Sequence, residues 1–194
     1  MASDIEAPLG RLRDIEEELE RTLDARRAEF RYRLERNKVI FEQEVIARHR
    51  RIRTGLLRFL RDSSFGALIT APAVYALIVP LALLDLTIAL YQAVCFPIWG
   101  MARVRRADYV VIDRHHLAYL NGIEKLNCVY CGYANGLIAL AREVASRTEQ
   151  YWCPIKHAIR VRGAHPRQRQ FVDYGDADAF RNRLEALREE IGKM

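Results

Sequence analysis

At 194 residues, 51% apolar and 29% charged, the chain has room for one ordinary domain or two small units. Its net charge of +6 rests on arginine, with lysine only at positions 38, 125, 156 and 193, and favours anionic lipid headgroups or nucleic acid as partners. The opening MASDIEAPLG lacks a basic region followed by an apolar one, so the N-terminus is expected in the cytoplasm, where four cysteines argue against a disulfide-stapled fold.

The charge is segregated along the chain. Residues 11–63 are rich in Arg and Glu, residues 65–100 hold one carboxylic acid, Asp85, and no base, and residues 101–194 are mixed. Residues 9–61 read as one long helix. Leu12, Leu23, Leu34, Val45 and Leu56 recur every eleven residues, as do Leu19, Phe30, Phe41 and Ile52. Two ladders with that step define one face of a nearly straight helix. A rod of roughly 75–80 Å is unstable alone in water, so a second copy or a partner coiled coil is expected on that face. Acids and bases alternate up to Val45. Beyond it stand Arg48, His49, Arg50, Arg51, Arg53, Arg58 and Arg61 with no acid among them. This collar lies directly before the apolar run, which favours lipid headgroups over nucleic acid.

The apolar run, residues 65–100, is long for one membrane crossing and short for two, since one span takes ~20 residues. Pro72, Pro80 and Pro97 interrupt it, and Arg103, Arg105 and Arg106 follow it. Basic residues on both flanks predict that both ends stay cytoplasmic. The expectation is a helical hairpin turning near residues 80–84, with a single span over 81–100 as its competitor. Asp85 would mark the wet or oligomer-facing side of the bend, because an acid at membrane depth is costly unless paired or wetted.

After the run, YVVID (109–113) reads as a short strand, and a helix is expected from His115 to about Asn127 with Asp113 as its cap. A turn at CVYCGYANG then leads into a second helix over 137–149. Pro154 suits the first turn of a further short helix in WCPIKH. Residues 161–175 form a basic loop, and residues 176–194 an amphipathic helix with Phe180, Leu184, Leu187 and Ile191 on one face.

The chemistry centres on Cys128-Val129-Tyr130-Cys131-Gly132. Two residues between cysteines let both sulfurs face one ion, and the following Gly can take positive φ. Over these six residues CVYCGY resembles the knuckle of rubredoxins and zinc ribbons, though the second half here is Cys153-Pro-Ile-Lys-His157. Cys128, Cys131, Cys153 and His157 would then hold structural Zn²⁺, or iron or an iron–sulfur cluster, with His115 and His116 as alternative ligands. A straight helix over 137–149 would separate the two halves by ~20 Å, so a clasp between two chains is a further possibility. Thiol redox chemistry and inert core cysteines are the other readings. Adjacent histidines on a helix point ~100° apart, which disfavours an acid–base pair at His115-His116. No Gly-rich phosphate loop, nucleophile elbow or His-Glu-x-x-His pair is present, so catalysis is weakly indicated.

The expected molecule is mainly α. It has a coiled-coil-like helix (1–63), a membrane hairpin or single span (64–101), a Cys/His helical metal domain (102–175) and a terminal helix (176–194). The expected function is a membrane-anchored, cytoplasm-facing scaffold or assembly protein, in a bacterial inner membrane or its equivalent, with both termini cytoplasmic. The alternatives are a membrane-associated redox protein and a basic nucleic-acid binder.

Overall fold

Apolar residues at helical spacing dominate most of the chain, and a computed structural model gives a mainly helical molecule, with residues 3–30, 32–35 and 38–192 described. It divides into two compact units, residues 1–61 with 113–125 and residues 62–112 with 126–194.

In the first unit the expected continuous helix over 9–61 is replaced by shorter elements. Helix α1 spans Ser3–Glu29, strands β1 (Tyr32–Glu35) and β2 (Lys38–Phe41) pair antiparallel, and α2 (Gln43–Arg51) and α3 (Leu56–Asp62) follow. Two local features account for the division. Val39, Ile40 and Phe41 are β-branched or aromatic and favour an extended ladder, with Tyr32 opposite Phe41 and Leu34 opposite Val39. Gly55 lies in the non-helical stretch between α2 and α3, where helix propagation is costly. On α1, Arg26–Glu29 (2.9 Å) and Arg27–Asp24 (2.5 Å) are surface ion pairs, each contributing at most a few tenths of a kcal/mol. Leu19 and Leu23 of the ladder lie exposed there, as does Ile15. The His49 ring packs edge-on between Phe41 and Tyr119.

The second unit is built on α4 (Phe65–Ala76) and α5 (Ile78–Ile98), which together make one helical span, Phe65–Ile98. The hairpin turn expected at residues 80–84 is therefore not formed, since those residues lie inside α5. Pro80 is the third residue of α5; it offers no N–H to the carbonyl of Ala76, and the ladder breaks only at Leu77, which keeps helical dihedrals. The Ser64 hydroxyl caps the start, accepting from the Ala67 N–H at 3.2 Å.

The end of α5 is a Schellman cap. Gly100 adopts φ +69°, and the Met101 N–H donates to the Phe96 carbonyl at 2.8 Å. From this reversal the chain runs back along α5. Arg103 reaches the Ala93 carbonyl (3.2 Å), the Val104 N–H donates to buried Gln92 (2.8 Å), and Arg106 reaches Asp85.

Helix α6 runs unbroken over Gly122–Trp152. It is opened by a capping box: Asn121 Oδ1 accepts from the Ile123 and Glu124 N–H groups, and Glu124 accepts from the Asn121 N–H at 2.8 Å. This corrects the expected helix start at His115, since Arg114–His116 is only a 3₁₀ turn and Asp113 makes no cap bond. It also removes the turn expected at CVYCGYANG. Gly132 and Gly136, four apart, put a small buried strip on one helix face, and a Cβ on Gly136 would stand 2.6 Å from the Tyr109 carbonyl oxygen. Close approach of the returning chain needs glycine there, and that packing outweighs glycine's low helix propensity.

The core of this unit gathers Phe96, Met101, Val104, Leu137, Leu140, Val144 and Ile191. The terminal helix forms as its pattern indicates, as α7 (Ala177–Gly192), burying Leu187 and Ile191. Two expected elements do not form. Residues 109–113 contain no strand, and Pro154 starts no helix because Ile155 bridges Val172 in a parallel pair.

Candidate functional site

Helix Phe65–Ile98 is long and apolar enough to cross a membrane, with only 6% of its most apolar window buried. Val79, Leu83, Leu86, Leu90 and Val94 are all exposed. The covered side is packed against α6, and the two helices run parallel. Tyr75 bonds Asn127, Tyr130 donates to the Val74 carbonyl (2.8 Å), Tyr91 meets Thr148 (2.8 Å), and Trp99 stacks on Tyr151 at 5.2 Å. Over residues 126–141, α6 carries no Asp, Glu, Lys or Arg, so the span's neighbour is uncharged for most of their shared length.

Asp85 is the one acid of the span, and it is fully engaged. Arg106 binds it with both arms of its fork, Nη2 to Oδ2 at 2.8 Å and Nε to Oδ1 at 3.3 Å. The Tyr133 hydroxyl donates to Oδ2 at 3.0 Å, and the Arg106 guanidinium lies 5.8 Å from the Tyr133 ring centroid. An unpaired carboxylate at the centre of a bilayer helix costs about 2.5–3.5 kcal/mol or more. A bidentate guanidinium and a phenol offset that cost and turn the acid toward the returning chain. The bend whose wet or oligomer-facing side Asp85 was expected to mark is not formed; Asp85 is paired, and its partner is Arg106, one of the arginines expected at lipid headgroups. Tyr133 went unread in the sequence. The usable signal was the single acid in an apolar run with a basic cluster shortly beyond it.

At the C-terminal end of the span Trp99 meets Tyr91, Phe96, Tyr151 and Trp152, with centroids 5.2–6.4 Å apart. Amphipathic aromatic rings collect at the level where a bilayer meets water. Of the other basic residues beyond the run, Arg103 caps a carbonyl of α5 and Arg105 pairs with Asp108 at 3.8 Å. Arg48, Arg50, Arg51, Arg53, Arg58 and Arg61 lie exposed around α2 and α3, Arg58 and Arg61 with partners of their own.

The sequence-derived metal set is not brought together. Cys128 and Cys131 lie one turn apart on α6, and Cys153 follows the end of the same helix, 22 residues and about 33 Å on. His157 stands in the loop beyond. Sulfur ligands must lie ~2.3 Å from one ion, so these four do not fit a zinc or iron centre within one chain. No group of three or more His, Cys, Asp or Glu poised to hold a metal occurs among the described residues. The rings of His115 and His116 pack on each other at 3.9 Å within a 3₁₀ turn. Burial pushes the Cys153 thiol above its usual range, and the nearby Glu149 carboxylate adds to this. A thiol held protonated is a poor nucleophile.

Beyond the span, α6 anchors a polar network. Burial raises the Glu143 carboxyl, but hydrogen bonds and charge from Arg147 (2.8 Å) and Arg167 (2.6 Å) prevail and hold it below the ordinary carboxylate range. Lys156 likewise lowers exposed Asp173, 2.8 Å away. No family model, curated protein or solved structure matches the chain, so its function rests on these residues and their geometry.

Proposed function

We propose that the chain is a membrane-anchored scaffold or assembly protein. Helix Phe65–Ile98 serves as the anchor and the N-terminal segment as the surface offered to partners. The observation that carries the reading is the span itself. It is apolar around its circumference and exposed on one side, and its single acid is neutralised by Arg106 and Tyr133 on the packed side. A soluble protein that left such a surface bare would aggregate, whereas lipid covers it without penalty. The arginines of α2 and α3 lie just before the span in sequence and suit anionic headgroups. Exposed Ile15, Leu19 and Leu23 on α1, at i, i+4 and i+8, supply one apolar stripe for a second copy or another helix.

Fractionation of the full chain expressed in cells tests the reading. The anchor predicts a pellet that resists alkaline carbonate and dissolves in detergent. Solubility without detergent sinks it. The scaffold part predicts that Ile15→Asp with Leu19→Asp lowers the size of the detergent-solubilised complex without releasing the chain from membranes.

A further inference from the structure

The loop after α6 carries Lys156, Arg160, Arg162, Arg167 and Arg169 and no acid before Asp173. It is held open around a cleft of 680 Å³. Helix α6 braces it three times: Arg142 donates to the Gly163 carbonyl (2.5 Å), Glu143 pairs with Arg167 (2.6 Å), and Glu149 bonds His165 (2.8 Å). Lys156 is spent on Asp173, while Arg160 and Arg169 line the cleft with no acid partner among the described residues. His165, which also lines the cleft, has a buried Nδ1 without a hydrogen-bond partner. Two unpaired guanidiniums facing one cavity match an oxyanion of phosphate type. Beside them Ile159 is 82% exposed, an apolar side chain with nothing protein-based to cover it.

A second cavity of 700 Å³ lies between α5 and α6 and is almost wholly apolar, bounded by Leu84, Ile88, Tyr91, Ala145, Val144 and Trp152. It runs about 16 Å along α6, from Ala141 to Trp152. Its far end is Glu149 and Cys153, and Glu149 is the residue that holds His165 of the cationic cleft. Glu149 on the groove thus bonds His165 on the cleft, close in sequence to Tyr151 and Trp152 of the aromatic group. A free phosphate would account for the cleft and leave the groove unexplained; a neutral hydrocarbon would do the reverse.

We propose that the two cavities form one binding site for an anionic glycerophospholipid. An acyl chain lies in the groove between α5 and α6, and the headgroup phosphate is held by Arg160 and Arg169. The site rests on the membrane-anchor reading for its supply of ligand, and it makes the C-terminal loop a reader of headgroup charge.

The chain's two tryptophans, Trp99 and Trp152, report on the site, since Trp152 borders the groove. The full chain in detergent is titrated with bromine-labelled phosphatidic acid, or with bromine-labelled phosphatidylcholine, and quenching of tryptophan fluorescence is read. Phosphatidic acid is expected to quench at a concentration lower by about tenfold or more, the effect of a single charged contact. The pair Arg160→Gln and Arg169→Gln brings the two lipids within about twofold. Ala145→Phe, which fills the groove from an exposed position, weakens both lipids together. Equal quenching by the two lipids in the native chain, or indifference to Ala145→Phe, overturns the proposal. So does full recovery of fluorescence on adding inorganic phosphate, which would mark a free-anion cleft. Carbonate extraction of the same variants separates the two ideas. A variant that stays in the pellet but loses headgroup preference bears on the lipid site alone, and a native chain released by carbonate removes the anchor reading.

Discussion

Replacing Gly136 by alanine tests the packing of the returning chain, residues 109–110, against α6. A Cβ at that position stands 2.6 Å from the Tyr109 carbonyl oxygen and 2.7 Å from the Val110 Cα, where ordinary contact begins at 3.4 Å. About 0.8 Å of clearance is missing, and the obstructing atoms are backbone, which has no rotamer to escape into. Overpacking of this kind costs about 1–3 kcal/mol. Alanine in a helix interior recovers roughly 0.8–1.0 kcal/mol relative to glycine. The net expectation is a loss of up to about 2 kcal/mol, or a fall in melting temperature of up to roughly 8 °C. Gly66→Ala is the control, because it lies in helix α4 with nothing within 4 Å, and it should melt at or slightly above the native chain. Thermal unfolding of detergent-solubilised protein by circular dichroism reads both variants. If Gly136→Ala melts at or above the native temperature, the returning chain does not lie against α6 there.

Removing one partner of the Asp85–Arg106 pair should cost more than removing both. Asp85→Ala or Arg106→Ala alone is expected to lose about 1.5–3 kcal/mol, with a coupling of at least ~1 kcal/mol in the double-variant cycle; additivity would show that the pair contributes nothing. Glu143 has a depressed folded pKa, so its stabilisation is fully present above the usual glutamate range and is lost as pH falls through the depressed value. Melting temperatures of Glu143→Gln should therefore lie below native near neutrality and converge with it in acid, and a constant gap would contradict the linkage. A chain retaining Cys153 as its only cysteine should show a maleimide rate whose pH midpoint lies above the usual thiol range and drops on unfolding. Glu149→Gln should move that midpoint only part of the way, since burial is the larger cause.

Much of the fold was legible because periodicity survives tertiary context. The terminal helix was readable from Phe180, Leu184, Leu187 and Ile191, and the apolar run stood out by composition alone. What failed depended on partners distant in sequence. CVYCG looks like a knuckle because glycine after cysteine permits a turn, yet Gly132 lies buried inside helix α6, and Gly136 on the same helix admits a close approach from residues 109–110, more than twenty positions earlier. Pro80 suggested a reversal, but near the start of α5 a proline interrupts the ladder without turning the chain. The eleven-residue ladder describes one face of a continuous rod and says nothing against the local preference of Val39, Ile40 and Phe41 for a strand. One signal was present and unused: Asn121-x-x-Glu124 is a capping box, and it marks the true start of α6. The partner of Asp85 was signalled only by the basic cluster beyond the run; which arginine pairs with it was not legible, because Arg106 is reached through the left-handed reversal at Gly100.

The central claim, that lipid covers the exposed side of Phe65–Ile98, is tested most directly by spin labels placed in reconstituted vesicles. Labels at Val79, Leu83, Leu86, Leu90 and Val94, each in a chain with its four native cysteines replaced, report access to oxygen and to a water-soluble nickel complex. Oxygen access should exceed nickel access at all five positions, most strongly at those nearest the middle of the span. Nickel access equal to or above that of oxygen along this face would contradict a membrane anchor.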